Sequence, residues 1–303
     1  MSQNEHATGH IIQSLVVNVT ITLAKFVAAF FTGSGAMLAE AIHTSADCSN
    51  QILLLLGVKR ARKQPDGAHP LGYGRELYFW SFMVAMLLFT GGGVFSVYEG
   101  IHKILRPEPV ERVLVGLAVL VFSFVLEGGS TVSNVREINK RRGTMPFFQY
   151  LRDTKDSDLI VVFGENAAAS LGLLFAMGAI GLASITGQGL WDGVGSLLVG
   201  LVLLAVAIFL ATEVKSLLVG EAADPLVDAA VRAVAAEHRD IEGVLRVLAI
   251  QQGPGEIMLA MKVRMRAGLS GEQLVDAINV FERALKARIT EIRWCFVEPD
   301  HEA

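Results

Sequence analysis

Apolar residues run along this chain in long unbroken blocks, not at the one-sided spacing of amphipathic helices or half-buried strands. Six blocks reach the roughly 20 residues a helix needs to cross hydrocarbon: 11–31, 37–58, 77–101, 113–132, 159–185 and 191–218. After Gly220 the blocks stop and finer periodicities take over. Asp224 before Pro225 reads as an N-cap with proline at the first helical position, opening a helix over 225–238 with Leu226, Ala229, Ala230 and Val234 on one face. Strands are expected at 244–251 and at 257–265, where Ile257, Leu259, Met261, Val263 and Met265 alternate with more polar neighbours. A second amphipathic helix over 271–288 and a strand near 292–297 complete an α-β-β-α-β order. That order predicts a ferredoxin-like tail, a small antiparallel sheet with two helices on one face. The fold class is therefore a membrane α-helical domain of six spans over 1–219, followed by a cytoplasmic α/β domain over 220–303.

Composition strengthens the membrane reading. The chain is 52% hydrophobic and 18% charged, with a mean hydropathy of +0.48, too oily for a soluble protein of this length. A formal net charge of −4 gives no reason to expect nucleic acid as a partner. The position of the charges is more informative. KRARK at 59–63 and REINKRRG at 136–143 are dense in Lys and Arg, whereas the connections TGSG, RPEPVER and TGQGL are not. The positive-inside rule puts the basic loops, and with six spans both termini, in the cytoplasm. Cys48 and Cys295 imply no disulfide framework. The opening MSQNEHATGH lacks a basic n-region, so no cleavable signal peptide is expected, and the lack of a targeting segment points to a bacterial inner membrane.

The second block breaks its own pattern with EAIHTSADCSNQ, residues 40–51. An ionisable group at the middle of a spanning helix costs about 2.5–3.5 kcal/mol on insertion scales, so each needs a reason. His43 and Asp47 stand four apart, which stacks them on one helix face about 5–6 Å apart at Cβ. Imidazole nitrogen and carboxylate oxygen together suit a divalent transition metal. The alternative is a hydrogen-bonded pair closing a helix contact. In the fifth block, GENAAASLG sets Glu165 and Asn166 before small residues that let helices approach closely. Glu165 either meets His43 and Asp47 there or snorkels from a helix end. Cys48 points about 100° away from Asp47 and is expected to pack, and Asn18, Asn50, Gln51, Glu99 and Glu127 to satisfy helix contacts or interfaces. Gly91, Gly92 and Gly93 promise flexibility or close packing. In QPDGAHPLGYGRE, Asp66 and His69 are three apart and read either as a metal pair or as turn chemistry.

Taken together, six spans, a polar pair in span two facing span five and a small α/β tail resemble the cation diffusion facilitator family of divalent-metal/proton antiporters. The resemblance covers essentially the whole chain. It is carried by LAEAIHTSADCSNQILL, by HPLGYGRE where the family has HxxGxG(K/R)xE, by GLASITGQGLWDGVGSLLVG and by the junction SLLVGEAADP. Its branch is similar to the zinc-transporter-9-like proteins. The resemblance implies a homodimer and a transport site of two residues four apart on span two and two on span five. His43 and Asp47 fill the first pair; the second becomes Glu165 and Ala169, so water, Asn166 or Ser170 would supply the fourth donor. The family's loop site falls on Asp66 and His69, with Tyr73 where a further His often stands. Its tail ligands fall on Leu245, Ala260 and Phe296, with Glu298 alone keeping oxygen chemistry, so the tail is expected to dimerise without a strong metal cluster.

The expected function is not enzymatic. It is export of a divalent cation, zinc first and Mn(II) or Fe(II) as alternatives, from the cytoplasm in exchange for protons. A different class is a membrane scaffold or partner subunit with a degenerate metal site, which Ala169 favours. Export of organic cations fits poorly with so compact a set of metal-ligand types.

Overall fold

The computed structural model describes residues 3–110, 112–154 and 157–301. The chain separates into two units. One comprises the residues up to Val58, Phe79–Arg152 and Ser157–Val214; the other comprises Lys59–Tyr78, 153–156 and the residues from Lys215 onward.

The first unit is helical: α1 (Gln3–Thr32), α2 (Gly35–Ala61), α3 (Glu76–Leu105), α4 (Val113–Arg141), α5 (Phe147–Asp153), α6 (Ser157–Thr186) and α7 (Leu190–Val219), of which α2, α3, α5 and α7 belong to it for most of their length and the others entirely. Among the described residues, α3, α4, α6 and α7 are long and apolar enough to cross a membrane. Large apolar side chains on these helices point outward, Leu114, Phe122, Val125 and Ile208 among them, as helices in lipid require. The other two expected spans are helices as well. In α2 the average hydropathy is lowered by the polar residues 40–51, and these face inward: Glu40, His43, Thr44, Asp47 and Asn50 are all buried.

Small residues set how closely these helices approach. A Cβ on Gly100 of α3 would stand 2.5 Å from the Leu197 amide nitrogen of α7, and one on Gly200 of α7 would stand 2.6 Å from the Val97 nitrogen of α3. Gly93 and Gly193 repeat the approach seven residues away on each helix, meeting Leu204 and Ile104. On the N-terminal side of these contacts α3 widens into a π-helical turn over Leu88–Val94, which contains Gly91, Gly92 and Gly93. Close packing is thus the part played by Gly92 and Gly93, which face Leu203 and Leu204.

At one end of this unit, α1 turns into α2 through Gly33, at φ 64°, a conformation that glycine adopts at no steric cost. Ser34 then caps α2 by accepting the Met37 N–H at 3.2 Å. Asp192, at the head of α7, accepts the Ser34 hydroxyl at 2.5 Å and the Gly35 N–H at 2.6 Å. Its negative charge thus meets the positive end of the α2 dipole. Lys103 of α3 completes the cluster, donating to Asp192 at 3.2 Å and to the Gly33 carbonyl.

The second unit holds α8 (Pro225–Glu237), β1 (Ile241–Gly253), β2 (Glu256–Met265), α9 (Gly271–Arg288) and β3 (Ile292–Pro299). Asp224 caps α8 by accepting the Leu226 N–H at 2.8 Å. Ser270 and Gln273 form a capping box at α9. The sheet has the order β1-β2-β3. β1 and β2 are antiparallel, as a tight turn demands, but β3 runs parallel to β2. The antiparallel sheet expected from the order of elements is therefore corrected. The cause is α9, a crossover long enough to return the chain to the end of the sheet where β2 began. Ile257, Leu259, Met261, Val263 and Met265 of β2 face inward, and pack with Val227, Val231 and Val234 of α8 and Phe281 and Leu285 of α9.

Lys59–Tyr78 belongs to this second unit. Gly74 permits the approach: a Cβ there would fall 2.7 Å from the Gln252 carbonyl oxygen. The family-like glycine spacing in HPLGYGRE thus has a packing cause.

Candidate metal centre

Residues 40, 43, 44, 47 and 50 of α2 recur at helical spacing, so one buried face of an otherwise apolar helix is polar from turn to turn. His43 is fully buried, and its Nδ1 lies 3.6 Å from Asp47 Oδ1. That is too long for a hydrogen bond. Among the described residues neither ring nitrogen of His43 has a hydrogen-bond partner, and Asp47 Oδ1 has none either. Buried polar atoms are nearly always paired, and exceptions concentrate where a ligand or ion completes the set. The closed hydrogen-bonded pair offered by the sequence is not what α2 contains.

Glu165 is buried on α6 and accepts the Asn50 side-chain amide at 2.5 Å. It therefore points to α2 instead of snorkelling, and Asn50 makes the helix contact expected of it. Asp47 lies within electrostatic range of Glu165, Glu127, Glu40 and Lys25. Among the described residues, no three His, Cys, Asp or Glu side chains are gathered tightly enough to hold a metal ion. His43 and Asp47 are together; Glu165 is held one helix turn further along, at Asn50.

The remaining expected positions are distributed as follows. Asn166 is half-buried, and its carbonyl accepts the Thr131 hydroxyl of α4 at 3.0 Å. Ser170 Oγ is 2.7 Å from the same hydroxyl. Ala169 is buried. Cys48 Sγ lies 3.6 Å from Thr22 Oγ1 of α1, a weak hydrogen bond between the two helices. In the loop, Asp66 Oδ1 accepts the N–H groups of Ala68 and His69 at 2.9 and 2.8 Å, and Oδ2 accepts the Tyr73 hydroxyl at 2.7 Å. The Tyr73 hydroxyl, then the His69 N–H, hold the Asp66 carboxyl below its ordinary pKa. His69 stacks at a tilt on Tyr73, ring centres 4.2 Å apart. This is the geometry of an Asx turn. In the tail, Ala260 pairs with Leu248 and with Phe296 across the sheet, both exposed, and Glu298 lies 3.8 Å from Lys262.

A second polar cluster holds Glu127, which was expected to satisfy a helix contact, with partners that the sequence reading did not name for it. Lys25 of α1 is fully buried and donates to Glu40 at 3.3 Å, Thr44 at 2.7 Å and Glu127 of α4 at 3.0 Å. Asp192 and Lys103 were likewise missed. The available signal was the cost rule for charges in spanning helices: Lys25 is the sole ionisable residue between Ile11 and Phe31.

Comparison with known proteins finds that the cation efflux transmembrane domain matches residues 11–219. A proton-coupled zinc antiporter, SLC30A9, mitochondrial, of Xenopus laevis is 37% identical over 217 residues, covering 71% of this chain and 39% of that protein. The Homo sapiens protein of the same name is 36% identical over 214 residues, covering 70% of this chain and 38% of its own. Metal tolerance protein C4 of Arabidopsis thaliana is 29% identical over 223 residues, covering 73% and 49%. This chain thus spans about two fifths of the length of the zinc antiporters it matches.

Proposed function

The chain belongs to the cation efflux family, a family of transporters and not of enzymes, and from that premise we propose that it carries a divalent metal ion across a membrane in exchange for protons. Zinc is the first cargo, because the SLC30A9 relatives are named proton-coupled zinc antiporters. Mn(II) and Fe(II) are the alternatives that an oxygen-rich donor set suits.

The observation that carries the reading is His43, buried with both ring nitrogens unpartnered among the described residues and Asp47 one turn away. His43, Asp47 and Glu165 are the proposed ligands. The fourth donor is water or an amide oxygen, from Asn166 or from Asn50, whose Oδ1 has no partner among the described residues. Asn50 holds the Glu165 carboxylate against α2, so a small slide of α6 along α2 would close the set. A metal needs His43 neutral and the carboxylates ionised, so metal and protons compete for the same lone pairs. Rocking of the helices between two accesses then turns that competition into exchange.

The row of Leu248, Ala260 and Phe296, with Leu248 and Phe296 exposed and Ala260 half-buried, supports pairing of two tails without metal in a homodimer. Asp66 and His69 are left out of the proposed ligands, because the Asx turn already uses the Asp66 oxygens. Six spans with both termini on the side of the basic loops remain the proposed topology, and lipid the surroundings. The expectation of a bacterial inner membrane finds no support in relatives named mitochondrial.

The test is uptake of Zn(II), Mn(II), Fe(II) and Co(II) into proteoliposomes with a metal-sensitive dye and an imposed pH gradient. Transport of at least one ion is expected, with rates falling about 100-fold in His43→Ala and Asp47→Ala, the upper scale for disturbing a metal site. Unchanged rates in both variants would overturn the assignment. A scaffold with a degenerate site is the second reading, favoured by Ala169 and by the missing three-donor cluster among the described residues. It predicts no heat of binding for any of the four ions and no uptake.

A further inference from the structure

Lys25 is surrounded as an ion is surrounded. Its Nζ meets one oxygen each from Glu40, Thr44 and Glu127, contributed by α2 and α4, which uses all three donors of an ammonium group. The outer oxygens of the two carboxylates, Glu40 Oε1 and Glu127 Oε2, are buried and have no hydrogen-bond partner among the described residues. Glu40 Oε1 lies over Gly172 of α6, where any Cβ would collide with it. The pocket therefore supplies three oxygens to the ammonium, from two carboxylates and a hydroxyl, and keeps two further carboxylate oxygens buried without a partner among the described residues. Donor sets made only of oxygen suit hard divalent ions such as Mn(II), in contrast to the imidazole-containing set at His43. The two positions are neighbours: Glu40 and Thr44 are four apart on α2, as are His43 and Asp47, displaced by three residues.

We propose that the Lys25 ammonium is a resident cation in a second, all-oxygen cation position built by Glu40, Thr44 and Glu127, and that it keeps free divalent ions from settling there beside the transport path. Lys25 is on this view a specificity-determining residue. A tethered charge neutralises the carboxylates without leaving, so a hard divalent ion on its way through the protein has no oxygen cage to be trapped in. The idea goes beyond the assignment of His43, Asp47 and Glu165 and does not need those residues to bind metal.

The experiment counts Mn(II) bound per protomer by electron paramagnetic resonance on detergent-purified full chain. It compares wild type, Lys25→Ala and Lys25→Ala/Glu127→Gln, each also in a His43→Ala background. Lys25→Ala is expected to bind one Mn(II) more than its parent in both backgrounds, and the Glu127→Gln change to weaken that extra ion at least tenfold. The increment is read against the parent, so failure of His43 to bind metal lowers the baseline and leaves the increment intact. Added methylammonium, restoring the missing ammonium in the Lys25→Ala pocket, is expected to displace the extra ion. An increment of zero in a monodisperse Lys25→Ala protein overturns the proposal, because the carboxylates then accept protons instead. Where Lys25→Ala aggregates, Lys25→Gln takes its place with the same expected increment. If both aggregate and Mn(II) during purification recovers neither, Lys25 is a structural strut and the proposal falls.

Discussion

An imidazole that makes no hydrogen bond in a helix bundle is costly, and so is an isolated charge there. The protein handles the two differently: among the described residues Lys25 is fully partnered and His43 is left bare. That contrast is why the chemistry is assigned to His43 and Asp47 and a fixed charge to Lys25. Cys295 of β3 shows the same cost outside the helices. Burial, with the nearby Glu282 charge second, pushes its thiol up from 9.0 to about 11. A pKa raised by folding stabilises fully below the unfolded value and is lost as pH rises through the folded one. Thermal stability of wild type relative to Cys295→Ala should therefore be constant below about pH 9 and fall as pH rises from there to about 11. At pH 8 in a Cys48→Ala background, alkylation of Cys295 should be about 100-fold slower than that of a free thiol, the ratio a two-unit shift dictates. Alkylation at the free-thiol rate would show the thiol to be open. At the residue scale, spacing singles out His43 and Asp47 as a pair, and the small residues after it single out Glu165. Lys25 was not readable as a partner of Glu127, because 102 residues separate them and no period connects α1 with α4.

At the level of elements, α3 and α7 are joined by backbone approach, with glycine on both sides at Gly93, Gly100, Gly193 and Gly200. Alanine in a helix interior gains about 1 kcal/mol of propensity over glycine. At Gly100 that gain is overridden, because the added methyl would meet the Leu197 backbone nitrogen at 2.5 Å and backbone cannot step aside as a side-chain tip can. Gly100→Ala should cost about 1–3 kcal/mol, as overpacking does, lowering the melting temperature in detergent. Gly178→Ala, with nothing within 4 Å of the added atom, should be neutral or stabilising. Equal effects at the two positions would refute the close approach of α3 and α7. The apolar blocks made the helices readable and the alternation over 257–265 made β2 readable. The direction of β3 was not, since α9 fits either a return or a crossover by length alone. Nor could periodicity reveal that residues 59–78 pack with the tail, a contact made by the absence of a side chain at Gly74.

At the scale of the molecule the question is whether α1 and α2 cross the membrane with the four helices whose apolarity is sufficient by itself. Three contacts within the helical unit bear on it. The Arg112 guanidinium lies 4.9 Å from the Phe31 ring centre, Lys103 reaches the Gly33 carbonyl, and Asp192 binds Ser34 and Gly35. The turn between α1 and α2 therefore lies at the end where α3 stops and α4 and α7 begin. From that turn α2 continues for 27 residues, about 40 Å at 1.5 Å per residue, toward the basic stretch 59–63. In the proposed six-span topology α2, with its polar face buried and Asn50 against Glu165 of α6, crosses beside α6. Single cysteines in a Cys48→Ser/Cys295→Ser background test the resulting topology with a membrane-impermeant maleimide on sealed vesicles. Phe31→Cys, Pro107→Cys and Gln188→Cys should label from one side, and Lys63→Cys and Lys140→Cys from the other. Pro107, Gln188, Lys63 and Lys140 label the same way whether or not α1 and α2 cross, so Phe31 decides. Labelling of Phe31→Cys from the side of Lys63 would mean that α2 turns back, leaving His43 and Asp47 outside any path through the membrane.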